Sequence, residues 1–212
     1  MLTRYGFGAI YIDDKEYKIS PTFQNIDKLG TPKEIIKKTD LFFTMLSPPR
    51  GWLEQVKNYN IKIYKQAVEI LQSCCEPKLP SAVTGGFKEQ ANGTVKIVNP
   101  PSQDFMHDII VLASHCLKYG VIGLTDSESL EEGEPISEFD VYHFIGLACE
   151  HLGRTREQAA DMTLTEFMMA WDIKFPEQKK EREKAAFKKK DIQDLIALQD
   201  RLDKITAQRK GG

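Results

Sequence analysis

The sequence predicts a mainly α-helical protein with a small N-terminal β-hairpin and an extended C-terminal helix. Three observations carry this. Apolar residues recur at three- and four-residue spacing through most of the chain. Helix-start signals, a threonine followed three residues on by Glu or Gln, occur at Thr31, Thr155 and Thr163. Strand-like patterns are confined to the first twenty residues and a short stretch after Gly85. The pattern divides the chain into residues 1–75 (hairpin plus helices), 76–101 (a Pro/Gly-rich linker or small hairpin), 102–175 (a helical module) and 176–212 (a charged helical tail).

Gly6 to Ile19 reads as the hairpin, with Phe7, Ala9 and Tyr11 on one face and Asp13-Asp14-Lys15 as the turn. A lone hairpin is marginal in water, so it must pair with more strands or lie on helices. Ser20-Pro21 starts a short helix with Phe23, Ile26 and Leu29 on one face, ended by Gly30. Thr31-Pro32, with Glu34 completing a capping box, starts the next, which runs to about Leu46 through Ile35, Ile36, Leu41, Phe42 and Met45. Ser47 to Gly51 is a loop, and Trp52 to Asn60 is partly helical. Ile61 to Cys75 is a stronger helix, with Ile63, Ala67, Ile70, Leu71 and Cys74 towards the core. Between Glu76 and Ser102, Gly86 to Lys88 and Thr94 to Val98 either pair across an Asn92-Gly93 turn or form an exposed loop. Ser102 caps a helix to about Tyr119 bearing Phe105, Ile109, Leu112, Ala113 and Cys116, closed by Gly120 and Gly123. Thr125 to Pro135 is an acidic connector.

Ser137 to Phe175 is the most informative stretch. It reads as three helices joined by turns of one or two residues. Ser137 caps the first, whose apolar face is Phe139, Tyr142, Phe144, Ile145, Ala148 and Leu152. Gly153 follows, where a left-handed residue is wanted. Thr155 with Gln158 and Thr163 with Glu166 are two capping boxes eight residues apart, which leaves room for a helix of one to two turns between them. The last helix carries Leu164, Phe167, Met168 and Trp171 on one side, and Pro176 marks a break or a new start. In the tail, Leu195, Leu198, Leu202 and Ile205 form an a/d seam of about two heptads.

The motifs within this module resemble the helical segment of tail assembly chaperones of long-tailed, siphovirus-type bacteriophages and prophages. The matching residues are Leu152-Gly153, Thr155, Glu157 and the run Met162-Thr163-Leu164-Thr165-Glu166-Phe167. The stretches Ile19 to Ile36, His115 to Gly123 and Lys174 to Arg182 are similar to proteins encoded among phage tail genes. The resemblance implies a non-catalytic chaperone whose clients are an unassembled tail tube subunit and the tape-measure protein. The surfaces it would use are Leu164, Phe167, Met168 and Trp171, and the seam Leu195, Leu198, Leu202 and Ile205, which also allows self-association. Phe167→Asp or Leu198→Asp is then expected to abolish client capture with helix content intact. A structural protein of the tail or head-tail connector would use the same faces permanently. The three-helix spacing also admits a helix-turn-helix reading with DNA as partner, although the last helix offers Glu166 and Asp172 where a reading edge wants Arg or Asn.

Composition narrows the classes. A net charge of −2 gives no reason to expect nucleic acid as a partner. No apolar run reads as a membrane span and the N-terminus does not read as a signal peptide, so the host bacterial cytoplasm is the expected location. Cys74, Cys75, Cys116 and Cys149 have neither disulfide-framework nor metal-site spacing and read as buried thiols. His107 and His115 are two helical turns apart, too far to share a metal. No catalytic residue, metal or cofactor is expected; a Cys116 nucleophile would need His143 or His151 brought from elsewhere.

Overall fold

The computed structural model describes residues 5–46, 59–90, 95–123 and 137–180. The fold is mainly α-helical, with a small antiparallel sheet at the N-terminus.

Strands β1 (Gly8–Ile12) and β2 (Lys15–Ile19) form the predicted hairpin. Its turn is Asp13-Asp14 alone, both at positive φ (48° and 61°), the left-handed pair that lets a two-residue turn follow the strand twist. Alternation decides which face is buried. Ile10 lies opposite Tyr17 and Gly8 opposite Ile19, and Ile10, Ile12, Tyr17 and Ile19 face the core. The Phe7, Ala9, Tyr11 register points the other way, with Tyr11 67% exposed.

The first short helix, α1 (Phe23–Ile26), starts two residues later than Ser20-Pro21 predicts, with Thr22 at the cap, and continues as a 3-10 turn, Asp27–Leu29. Helix α2 (Pro32–Leu46) starts as predicted. The Glu34 carboxylate accepts from both the backbone N–H and the hydroxyl of Thr31 (2.8 Å each), which holds that carboxyl below its ordinary range. Its buried residues are Ile35, Thr39, Phe42 and Met45; Leu41, expected on the core face, is exposed.

Helix α3 (Tyr59–Cys74) buries Ile63, Ala67, Ile70, Leu71 and Cys74 as expected. Cys75 is not its last residue. Cys75-Glu76 forms a short strand, β3, on the far edge of β2. This third strand is what anchors the hairpin, because Ser20 N–H also donates to the Cys74 carbonyl at 2.8 Å. Then come α4 (Ser81–Thr84) and the second hairpin, β4 (Gly86–Glu89) with β5 (Val95–Val98). The Asn92-Gly93 turn between them lies outside the described residues, as do the 47–51 loop, residues 52–58, the 125–135 connector and the tail from 181.

Helix α5 (Gln103–Leu117) is capped by Ser102, whose hydroxyl accepts from Phe105 N–H. It packs along α3 and continues as a π-helical turn, Lys118–Ile122. Gly120 therefore does not end the helix; it sits inside this turn against Ile26, and Gly123 (φ 74°) ends it. By length and hydropathy Gln103–Ile122 would suffice to cross a membrane, contrary to the sequence expectation, but its buried residues Ile109, Ala113, Cys116 and Leu117 belong to the core. One cluster of buried side chains runs from the first sheet through α1, α2, α3 and α5 to the C-terminal helices.

The C-terminal module holds α6 (Val141–Leu152), α7 (Arg156–Ala160) and α8 (Leu164–Lys174). The cap of α6 is Asp140, not Ser137, and its carboxylate accepts from Tyr142 and His143 N–H. Phe139 thus precedes the helix, and Tyr142 faces outwards, bonding the Asp27 carboxylate at 3.0 Å. Gly153 is left-handed (φ 66°), and both capping boxes are complete. The chain turns at Phe175 and helix resumes over residues 176–180.

The second box has a further duty. Thr163 is fully buried; its hydroxyl accepts from Glu166 N–H (3.1 Å) and donates to the Tyr5 carbonyl (3.0 Å). Thr163→Ala removes both bonds and is expected to cost about 2 kcal/mol, the upper end of the cap range. Thr155→Ala, at an exposed cap, is expected to cost about 0.5–1 kcal/mol. Urea midpoints of the two variants check the difference.

Candidate functional site

An aromatic chain crosses the C-terminal module. Phe23 stacks on Phe144 (centroids 5.6 Å), Phe144 meets Phe167 edge-on (5.5 Å), Phe167 meets Trp171 (5.4 Å), and Trp171 meets Phe175 (4.7 Å). The capping boxes fix the start of α8, so Leu164, Phe167, Met168 and Trp171 face α6 and the π turn. Beside them lies a half-open apolar groove of about 330 Å³. Its walls are Val121 and Ile122 of the π turn, Phe139, Phe144 and Leu147, and the four residues of α8; Glu138 is its charged member.

The four α8 residues are therefore together but not equivalent. Leu164 and Phe167 are each 5% exposed and belong to the core. Met168 and Trp171 are half-buried and form the open wall. This moves the informative substitution. Phe167→Asp would bury a carboxylate among Phe23, Phe144 and Trp171 and would damage the fold itself. Met168 is where a charge reports on the groove. The other four predicted residues, Leu195, Leu198, Leu202 and Ile205, lie outside the described residues. Sequence periodicity finds one wall of the groove; Ile122, Phe144 and Leu147 are added by tertiary packing.

A second, more polar groove of about 480 Å³ runs between the residues just before β1 and the outer side of α8, past Tyr5, Arg154, Glu166 and Ile173. Burial pushes the Glu166 carboxyl above its ordinary value, against the Thr163 N–H and Arg154, which favour the charged form.

His151 meets Trp171 edge-on (5.5 Å) and His143 meets Phe144 (5.8 Å), whereas the buried thiols and His115 lie away from the groove. Cys74, Cys75 and Cys116 are buried where α3 meets β3 and α5. Burial pushes the Cys75 thiol up to about 11, and a hydrogen bond with Cys74, together with burial, pushes Cys116 well up. Such thiols are poor nucleophiles at neutral pH. Among the described residues no three His, Cys, Asp or Glu side chains converge to hold a metal ion.

His115 Nε2–H donates to the Gly6 carbonyl at 3.1 Å, and the ring lies against Tyr119. Burial lowers its pKa from the ordinary 6.5. Between the lowered folded value and the ordinary one, the folded chain holds His115 neutral while the unfolded chain protonates it. Stability due to this group is complete above about pH 6.5 and is lost as pH falls towards the lowered folded value. Urea midpoints at pH 7.5 and 5.5 are expected to fall further for the native chain than for His115→Gln.

No curated protein and no solved structure matches the chain. A family model does: residues 19–191, from β2 through all the helices described above into the tail, match the family of unknown function DUF6246, to which this chain belongs.

Proposed function

We propose that this protein is a non-catalytic assembly chaperone of a phage tail, holding unassembled tape-measure protein, tail tube subunit or both in the host cytoplasm. The observation that carries the reading is the groove at Met168 and Trp171, whose lining is aliphatic and aromatic apart from Glu138. Apolar grooves of this kind take the apolar stripe of an amphipathic helix. A tape-measure protein exposes such stripes until the tube encloses it, and uncovered stripes aggregate. The resemblance motif supports the same reading, because Met162 to Phe167 is the segment that caps and aims α8.

Met168→Asp tests it. Desolvating a carboxylate in an apolar contact outweighs a typical anchor residue, so capture of co-expressed tape-measure protein is expected to fall at least about tenfold. Far-UV helix content should stay at the native level. Undiminished capture by Met168→Asp would contradict the reading. Mass spectrometry of purified particles separates a chaperone, expected to be absent, from a permanent tail or connector component.

A further inference from the structure

We propose that the protein's own C-terminal segment, residues 191–206, occupies the groove at Met168 and Trp171 when no client is bound. Three observations point to this occupant. The first is where the described chain ends. Trp171 Nε1–H donates to the Gln178 side chain at 3.0 Å and Trp171 meets the Phe175 ring, so the chain leaves at Lys180 beside the groove wall. The second is length. Leu195 follows Lys180 by fifteen positions, which reach about 22 Å as helix and about 50 Å extended. The groove lies within that reach once the connection turns back.

The third is complementarity. The spacing of Leu195, Leu198, Leu202 and Ile205 reads in the sequence as the apolar stripe of an amphipathic helix, and the groove is an apolar surface open on one side. Each leaves hydrocarbon in water alone, and each can cover the other. Lys188-Lys189-Lys190, just before the segment, is opposite in charge to Glu138 at the groove. The occupancy itself follows from the groove and the tail. Its consequence, that a client helix must displace the segment, rests on the assembly reading above.

Photocrosslinking of the full chain without client tests the occupancy separately from that reading. p-Benzoylphenylalanine is placed at position 198, on the seam, or at position 200, which helical spacing puts on the opposite side. The expected result is a product of monomer mass joined to the groove at residues 121–122 or within 137–171. Its yield should be independent of protein concentration and about tenfold higher from position 198 than from position 200. Product of dimer mass would assign the groove to a second copy and overturn the proposal. So would equal yields from the two positions, or products joined outside the groove. Failure here with client capture intact sinks only the tail; lost capture with the crosslink intact sinks only the client.

Discussion

Phe23→Ala is expected to destabilise the protein by about 3–5 kcal/mol, the range for removing a fully buried aromatic ring. Phe23 has no exposed surface. Its ring stacks on Phe144 and meets Phe167 edge-on at 6.2 Å, while its N–H donates to the Met162 carbonyl at 2.8 Å. One residue of a four-residue helix thus ties the N-terminal half to α6 and α8. The cavity cannot collapse easily, because the surrounding rings are held by separate elements. Urea unfolding measures the loss. A cost below about 1 kcal/mol would mean that the C-terminal module does not depend on α1 for its packing.

Gly120→Val should be comparably damaging for the opposite reason. A Cβ at this position would sit 2.7 Å from Ile26 Cδ1 and 2.9 Å from the Pro21 carbonyl oxygen. The isoleucine tip could shift, but the carbonyl is backbone and the glycine is buried in the π turn. Overpacking of this kind costs about 1–3 kcal/mol or more, and valine's two γ carbons place it at the upper end. Because the π turn forms the Val121–Ile122 wall, client capture should weaken along with stability. A variant as stable as the native chain would contradict the close approach of α1 to this turn.

The parts legible in the sequence are those set by short-range chemistry. The capping boxes at Thr155 and Thr163 need only a hydroxyl, a Glu or Gln three residues on, and backbone N–H groups within one turn. Gly153 and the Ser102 cap are equally local. Where two candidates compete, tertiary contacts choose. Asp140 displaces Ser137 because Phe139 N–H is taken by the Pro32 carbonyl, so the chain is still extended at 139. Thr22 rather than Ser20 occupies the N-cap position of α1, without a side-chain cap bond, because Ser20 continues the sheet through its bond to Cys74.

The groove needed more than periodicity. The spacing of Leu164, Phe167, Met168 and Trp171 describes a stripe but not which part of it lies under other helices. Phe144 fills the space over Phe167, and the π turn, which no start or stop signal announces, brings Ile122 across from Met168. Cys75 in a strand was hidden for the same reason. Its pairing partner, Ile19, is 56 residues away in sequence.

Methyl NMR of the native chain with its methionines labelled tests most directly whether the groove grips another polypeptide. Addition of tape-measure protein is predicted to shift or broaden the Met168 methyl signal while leaving Met45, buried on α2, in place. An unchanged Met168 signal with tape-measure protein demonstrably bound would place the contact elsewhere and contradict the account.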